Sequence, residues 1–214
     1  YSYRPHLCYC GHGSFSLFPM PGMDMGGDKK NNNTKTKMSA EEMENMDNSK
    51  KINDTDHTKM EKRIVVSTAF KNQLKKVFDE YLILKDALAD DDNSAAQKSA
   101  AALLNDMAKV DMKLLSNQEA HNHWMLIGKE IKASATSISK TSDIAIQRNH
   151  FKHLSAHLIK AVKLFGVDQE VYEQFCPMAN DNKGAYWLSQ FKEIKNPYFG
   201  KAMLTCGETK TTIK

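Results

Sequence analysis

Four sulfur-bearing residues frame one aromatic-rich segment near the C-terminus: Cys176 and Met178 in Cys-Pro-Met, and Met203 and Cys206 in Met-Leu-Thr-Cys. Thiolate and thioether sulfur are soft donors that select Cu(I) and similar ions, whereas Zn(II) sites draw on Cys, His and carboxylate and seldom on Met. The four residues therefore read as a ligand set for one Cu(I) or Ag(I) ion. Pro177 fixes φ between the first two donors and favours a turn that presents both to one point. The alternative for the same pair is a Cys176–Cys206 disulfide with the methionines buried beside it.

Three imidazoles add to the inventory. His150, His153 and His157 recur at helical spacing on one face, each one position before an apolar residue (Phe151, Leu154, Leu158). Their stripe thus lies about 100° around the helix from the apolar seam. They read as polar boundary residues or, if the segment after Gly166 folds back over this face, as imidazoles beside the sulfurs. His121 and His123 would point about 200° apart on a helix and make a poor chelate. Near the N-terminus, His6, Cys8, Cys10 and His12 precede Met20, Met23 and Met25. That head reads as a transient copper-capturing tail or as ordinary linker composition.

Other chemistry finds little support. The chain contains no Gly-rich phosphate loop, no Gly-x-Ser-x-Gly and no His-Glu-x-x-His, and no carboxylate pair stands out from the solvated charge. Cys176-Pro-Met lacks the second cysteine of a Cys-x-x-Cys. An enzyme is not expected. The formal net charge is +4, with lysines scattered among acids, which argues against nucleic acid. No run of about 18 apolar residues marks a membrane span. The chain begins at Tyr1 and not at Met, so a processed product is expected, its targeting segment not visible. Four cysteines in 214 residues are too sparse for a disulfide-built scaffold, so the core must come from packing.

The elements that must position these residues are helical. Apolar positions recur four and three apart at Phe70, Leu74, Val77, Tyr81, Leu84 and Leu88. Three further stripes follow: Ala96 to Leu114, Ala120 to Ile138, and Ile144 to Phe165. Ser94-x-x-Gln97 and Ser116-x-x-Glu119 have capping-box form, and Gly166 stands where the last helix would end. Short polar connections favour antiparallel neighbours. The expected fold is all-α: residues 67–166 as an up-down four-helix bundle, and 167–214 as an irregular cap that carries the Cys/Met motifs. In the cap the sequence reads as turns, short strands and one helical turn near Tyr186 to Phe191. Residues 1–66 read as a Cys/Met-containing head and a disordered polar linker, because Met20 to Lys62 has too little to bury against the entropy of ordering it.

The ordered series RNHFKHLSAHLIKAVKLFG, CPMA, GAYWLS, NPYFG and MLTCG resembles a helical domain of unknown function. That domain occurs alone in exported proteins of Gram-negative bacteria, or fused to periplasmic adaptor subunits of copper and silver efflux systems. The resemblance covers about Ser67 to Ile213. It implies a periplasmic or otherwise exported location and a Cu(I) or Ag(I) context, and it singles out Cys176, Met178, Met203 and Cys206, with His150. His153 and His157 rest on helical geometry alone. The expectation is a soft-metal binding protein that sequesters the ion or hands it to an efflux adaptor or another envelope protein, with no organic cofactor. The alternative is a non-metal interaction module of a cell-envelope complex, stapled by the Cys176–Cys206 disulfide.

Overall fold

The computed structural model describes residues 62–214. The expectations for the head and linker, including those for Cys8, Cys10, Met20, Met23 and Met25, lie outside the described residues. Four long helices follow one another: α1 (Thr68–Ala89), α2 (Asn93–Ala108), α3 (Gln118–Ser139) and α4 (Ile144–Phe165). A short side chain opens each by accepting a backbone N–H of the first turn. Ser67 accepts from Phe70, Asp92 from Ala95, Asn117 from Glu119, and Asp143 from Ala145 and Ile146. Two starts thus differ by a residue or two from the expected capping boxes, with Asp92 capping in place of Ser94 and Asn117 in place of Ser116. Gly166 ends α4 at φ 77, a left-handed position that L side chains resist.

Hydrogen bonds between chain ends fix the up-down order. At one end of the bundle Ile64 N–H donates to the Leu164 carbonyl at 2.8 Å, and Asp111 N–H to Gln73 Oε1 at 2.8 Å. At the other end Gln147 Nε2 donates to the Asn93 and Thr141 carbonyls, and Arg148 to the Leu88 carbonyl. The start of α1 therefore lies with the ends of α2 and α4, and its end with their starts. Phe70, Trp124 and Phe165 pack edge to face at the first end, with centroids 5.3 to 6.1 Å apart.

The fold is not all-α. After α4 comes a three-stranded antiparallel sheet of β1 (Val171–Cys176), β2 (Ala185–Ser189) and β3 (Glu208–Ile213) in the order β2-β1-β3. The helical turn expected near Tyr186 to Phe191 is instead β2 and the turn that follows it. The physical reason is burial on both faces. Val171, Tyr172, Glu173 and Gln174 are all covered, so β1 shows no alternation of apolar and polar residues for a reader to find. Glu173 lies against Lys163 of α4 at 2.8 Å, and Gln174 donates to the carbonyls of Phe191 and Lys192 at 3.0 and 3.1 Å. Cap and bundle share one apolar core, in which Val171, Cys176, Trp187, Leu188 and Ile213 join the helical stripes.

Leu103 of α2 and Leu154 of α4 are wholly buried in that core. Replacing either with Ala should cost about 2 to 5 kcal/mol in urea-monitored unfolding. A loss under about 0.5 kcal/mol at both, the range typical of surface sites, would contradict the packing described.

Candidate functional site

The sheet brings the sulfurs together. Antiparallel pairing sets Phe175 opposite Glu208, so the end of β1 and the approach to β3 meet at one corner. There the Sγ atoms of Cys176 and Cys206 stand 3.4 Å apart, and both residues are free thiols. Cys176 is buried and Cys206 half-buried. The hydrogen bond with Cys176, and then burial, push the Cys206 thiol above its ordinary pKa. Either thiol can be the donor in this contact.

Backbone bonds lock Cys206 in place. Asn196, itself fully buried, donates its side-chain N–H to the Cys206 carbonyl at 2.8 Å and its backbone N–H to the Leu204 carbonyl at 2.8 Å. Cys206 N–H donates to the Met203 carbonyl at 3.0 Å, closing the short 3-10 helix Gly200–Met203. Gly207 follows at φ 141. A Cβ there would fall 2.8 Å from the Trp187 ring and 2.9 Å from the Phe175 carbonyl oxygen. Only glycine closes the chain between the thiol and β3.

Met178 and Met203 reach the same corner through the chain. Met178 is two residues beyond Cys176, 45% exposed, just before a turn in which Asn180, Asp181 and Asn182 all take left-handed backbone angles. Met203 is half-buried and three residues before Cys206. The contact between the thiols therefore gathers the Cys-x-Met and Met-x-x-Cys segments at one end of the sheet.

Behind Cys176 lies a buried hydroxyl cluster that sequence reasoning missed. The Tyr81 hydroxyl accepts the Leu188 N–H at 3.1 Å and forms a further hydrogen bond of 2.8 Å with Ser155 Oγ. Tyr198 donates to the Tyr186 carbonyl at 2.5 Å and stacks its ring against Phe151 of α4 and Trp187 of β2. Burial holds both phenols far above their ordinary pKa, so the wall behind the thiols is neutral. The one signal in the sequence was Ser155, a polar residue set inside the apolar stripe of α4. The indole N–H of Trp187 is buried without a hydrogen-bond partner.

The histidines are placed elsewhere. The cap covers the side of α4 that carries Arg148, Phe151 and Lys152, which bond or pack with Pro197, Tyr198 and Asn180. By the period of the helix, His150, His153 and His157 lie about half a turn from that side. His157 is half-buried and acts electrostatically with Glu130 of α3; burial and then Lys160 lower its pKa. The expected fold-back of the cap over the histidine stripe is corrected on this point. The apolar groups that dock the cap, Phe151 and Tyr198, occupy the other side. Among the described residues, no cluster of three His, Cys, Asp or Glu side chains is gathered around one point.

Bundle, cap and thiol corner together define a helix-rich domain with two free thiols in contact at one end of its small sheet. Residues 77–170 match the family described as "Protein of unknown function (DUF3347)". No curated protein and no solved structure matches the chain. The matched stretch ends one residue before β1, so it covers the bundle and not the sulfurs.

Tyr81→Phe should destabilise the domain by about 1 to 3 kcal/mol, since it strips the acceptor from the buried Leu188 N–H. An unchanged urea midpoint would remove the hydroxyl from its role in docking the cap. His157 gives a pH test. Its folded pKa lies below the unfolded value of 6.5, so the unfolded chain binds the proton first as pH falls. Stability then drops as pH passes below that value. His157→Gln should flatten part of the decline, seen as a smaller difference between urea midpoints at about pH 7.5 and about pH 5.5.

Proposed function

We propose that this domain binds one soft monovalent metal ion, Cu(I) or Ag(I), as cargo. The thiols of Cys176 and Cys206 hold it and the thioethers of Met203 and Met178 complete the donor set. The observation that carries the reading is the 3.4 Å contact between two free thiols from segments thirty residues apart. Cu(I) favours soft sulfur donors, and this corner offers them, while the nearby Glu208 carboxylate is paired with Lys210. Thiols must lose their protons to bind metal, so binding through both sulfurs releases a proton from each. Thioethers stay neutral and do not form disulfides, which suits an oxidising compartment.

The half-exposed position of Met178 supports transfer as well as storage, because a donor at the rim can be exchanged for a donor of a partner. The ordered CPMA, GAYWLS, NPYFG and MLTCG motifs support placing this activity in the cell envelope, beside an efflux adaptor or another envelope protein. His150, His153 and His157 are left out of the ligand set, since the cap docks on the other side of their helix.

The second reading is an envelope interaction module that binds no metal, with Cys176 and Cys206 joined as a staple. The same sulfur proximity favours it. Met178→Leu with Met203→Leu separates the two. The swap nearly conserves volume and apolarity, so stability should change by less than about 1.5 kcal/mol. Cu(I) affinity, titrated anaerobically against a competing chelator, should fall at least about tenfold, equivalent to about 1.4 kcal/mol. A parent that binds no Cu(I) under those conditions would leave the staple as the better reading. A double variant that binds as tightly as the parent would remove the methionines from the site.

A further inference from the structure

The two thiols are not equivalent. Cys176 ends the central strand and has no exposed surface, with Tyr198 and the bundle behind it. Cys206 is half-buried on the outer side of the same contact, held by Asn196 and by the turn from Met203. A reagent approaching from solvent meets Cys206 first. Its sulfur already stands 3.4 Å from Cys176, and a disulfide needs only that this gap close to about 2.05 Å.

We propose that the pair is a disulfide-exchange site with a fixed order, Cys206 attacking and Cys176 resolving, and that exchange and metal binding exclude one another. The Cys206 thiolate attacks one sulfur of an external disulfide. A bond forms between that sulfur and Cys206 Sγ, the external S–S bond breaks, and the departing thiolate takes up the proton that Cys206 lost. The Cys176 thiolate then attacks Cys206 Sγ, forms the Cys176–Cys206 bond and expels the second external thiol, which takes the Cys176 proton. The protein dithiol gives up two electrons and the external disulfide accepts them, ending as two thiols.

Exchange of this kind follows thiolate access and the position of the neighbouring sulfur. The raised pKa of Cys206 makes its thiolate scarce and the exchange slow at neutral pH, but the order follows from geometry, since Cys206 is part-exposed and Cys176 is buried behind it, placed to displace the adduct. The oxidised pair has no thiolate left for a metal, and a bound ion occupies the lone pairs that attack requires. This last exclusion rests on the metal-binding reading; the order of attack does not.

The test uses the full chain with Cys8 and Cys10 replaced by Ser, oxidised glutathione as the external disulfide, and intact-mass and peptide mapping of quenched samples. The parent should lose two hydrogens with no lasting adduct. Cys176→Ser should accumulate one glutathione on Cys206, and Cys206→Ser should stay unmodified over the same interval. Should a serine variant fail to fold, the parent itself decides: a limiting amount of an alkylating reagent should label Cys206 before Cys176. Equal labelling, or a Cys206→Ser protein that reacts as fast as Cys176→Ser, would overturn the order. With stoichiometric Cu(I) bound anaerobically, oxidation of the parent should slow at least about tenfold, corresponding to about 1.4 kcal/mol. An unslowed reaction would overturn the exclusion and count against the metal reading while leaving the order of attack standing.

Discussion

The Tyr81 hydroxyl reaches from the first helix to the sheet, and the position of the thiols depends on that reach. Its ring stacks between Phe78 and Phe151, at 6.1 and 5.2 Å, inside the bundle. Its oxygen accepts the Leu188 N–H of β2 and hydrogen-bonds the Ser155 hydroxyl of α4. A buried N–H without an acceptor would cost about 1 to 3 kcal/mol, so the sheet settles where this phenol satisfies it. Tyr198 continues the column from Phe151 to Trp187. Aromatic stacking supplies contact area and the hydroxyls supply register.

The cap is otherwise held by polar groups to a degree unusual for so small a unit. Gln174 in the central strand binds the turn after β2, Asn196 binds the turn before β3, and the Glu173 to Lys163 ion pair ties the strand to α4. Arg148 spans three elements, donating to Pro197 in the cap, to Leu88 at the end of α1 and to Asp91 in the turn beyond it. Apolar packing alone tolerates sliding by fractions of an ångström, whereas directional hydrogen bonds favour one arrangement, although the buried Gln174 Oε1 has no partner. Of these groups Asn196 acts on the thiol pair directly, through the Cys206 carbonyl.

Bundle and cap therefore divide the work. The bundle is a generic support, and its stretch is the part that matches a family of unknown function. The thiol pair lies beyond it, 3.4 Å apart, beside turns whose conformations use Gly207 and the left-handed residues Asn180, Asp181 and Asn182.

The sequence by itself determined the four helices, because each stripe of apolar residues at the helical period demands a buried face. It also determined which donors were available, since residue type fixes softness and Met in Cys-x-Met spacing has few bland explanations. It hinted at strands in the cap but not at the sheet, because β1 is covered on both faces by Glu173 and Gln174 as well as Val171, and such a strand has no period-two signature. The side of α4 that the cap would cover was decided only by tertiary structure. His150, His153 and His157 share a face with one another, and periodicity sees no further than that. Which face meets the cap depends on Phe151, Lys152 and Arg148 finding Tyr198, Asn180 and Pro197, contacts between residues far apart in the chain. The meeting of Cys176 with Cys206 is of the same kind: spacing along the chain allows it, and antiparallel pairing of β1 with β3 brings it about.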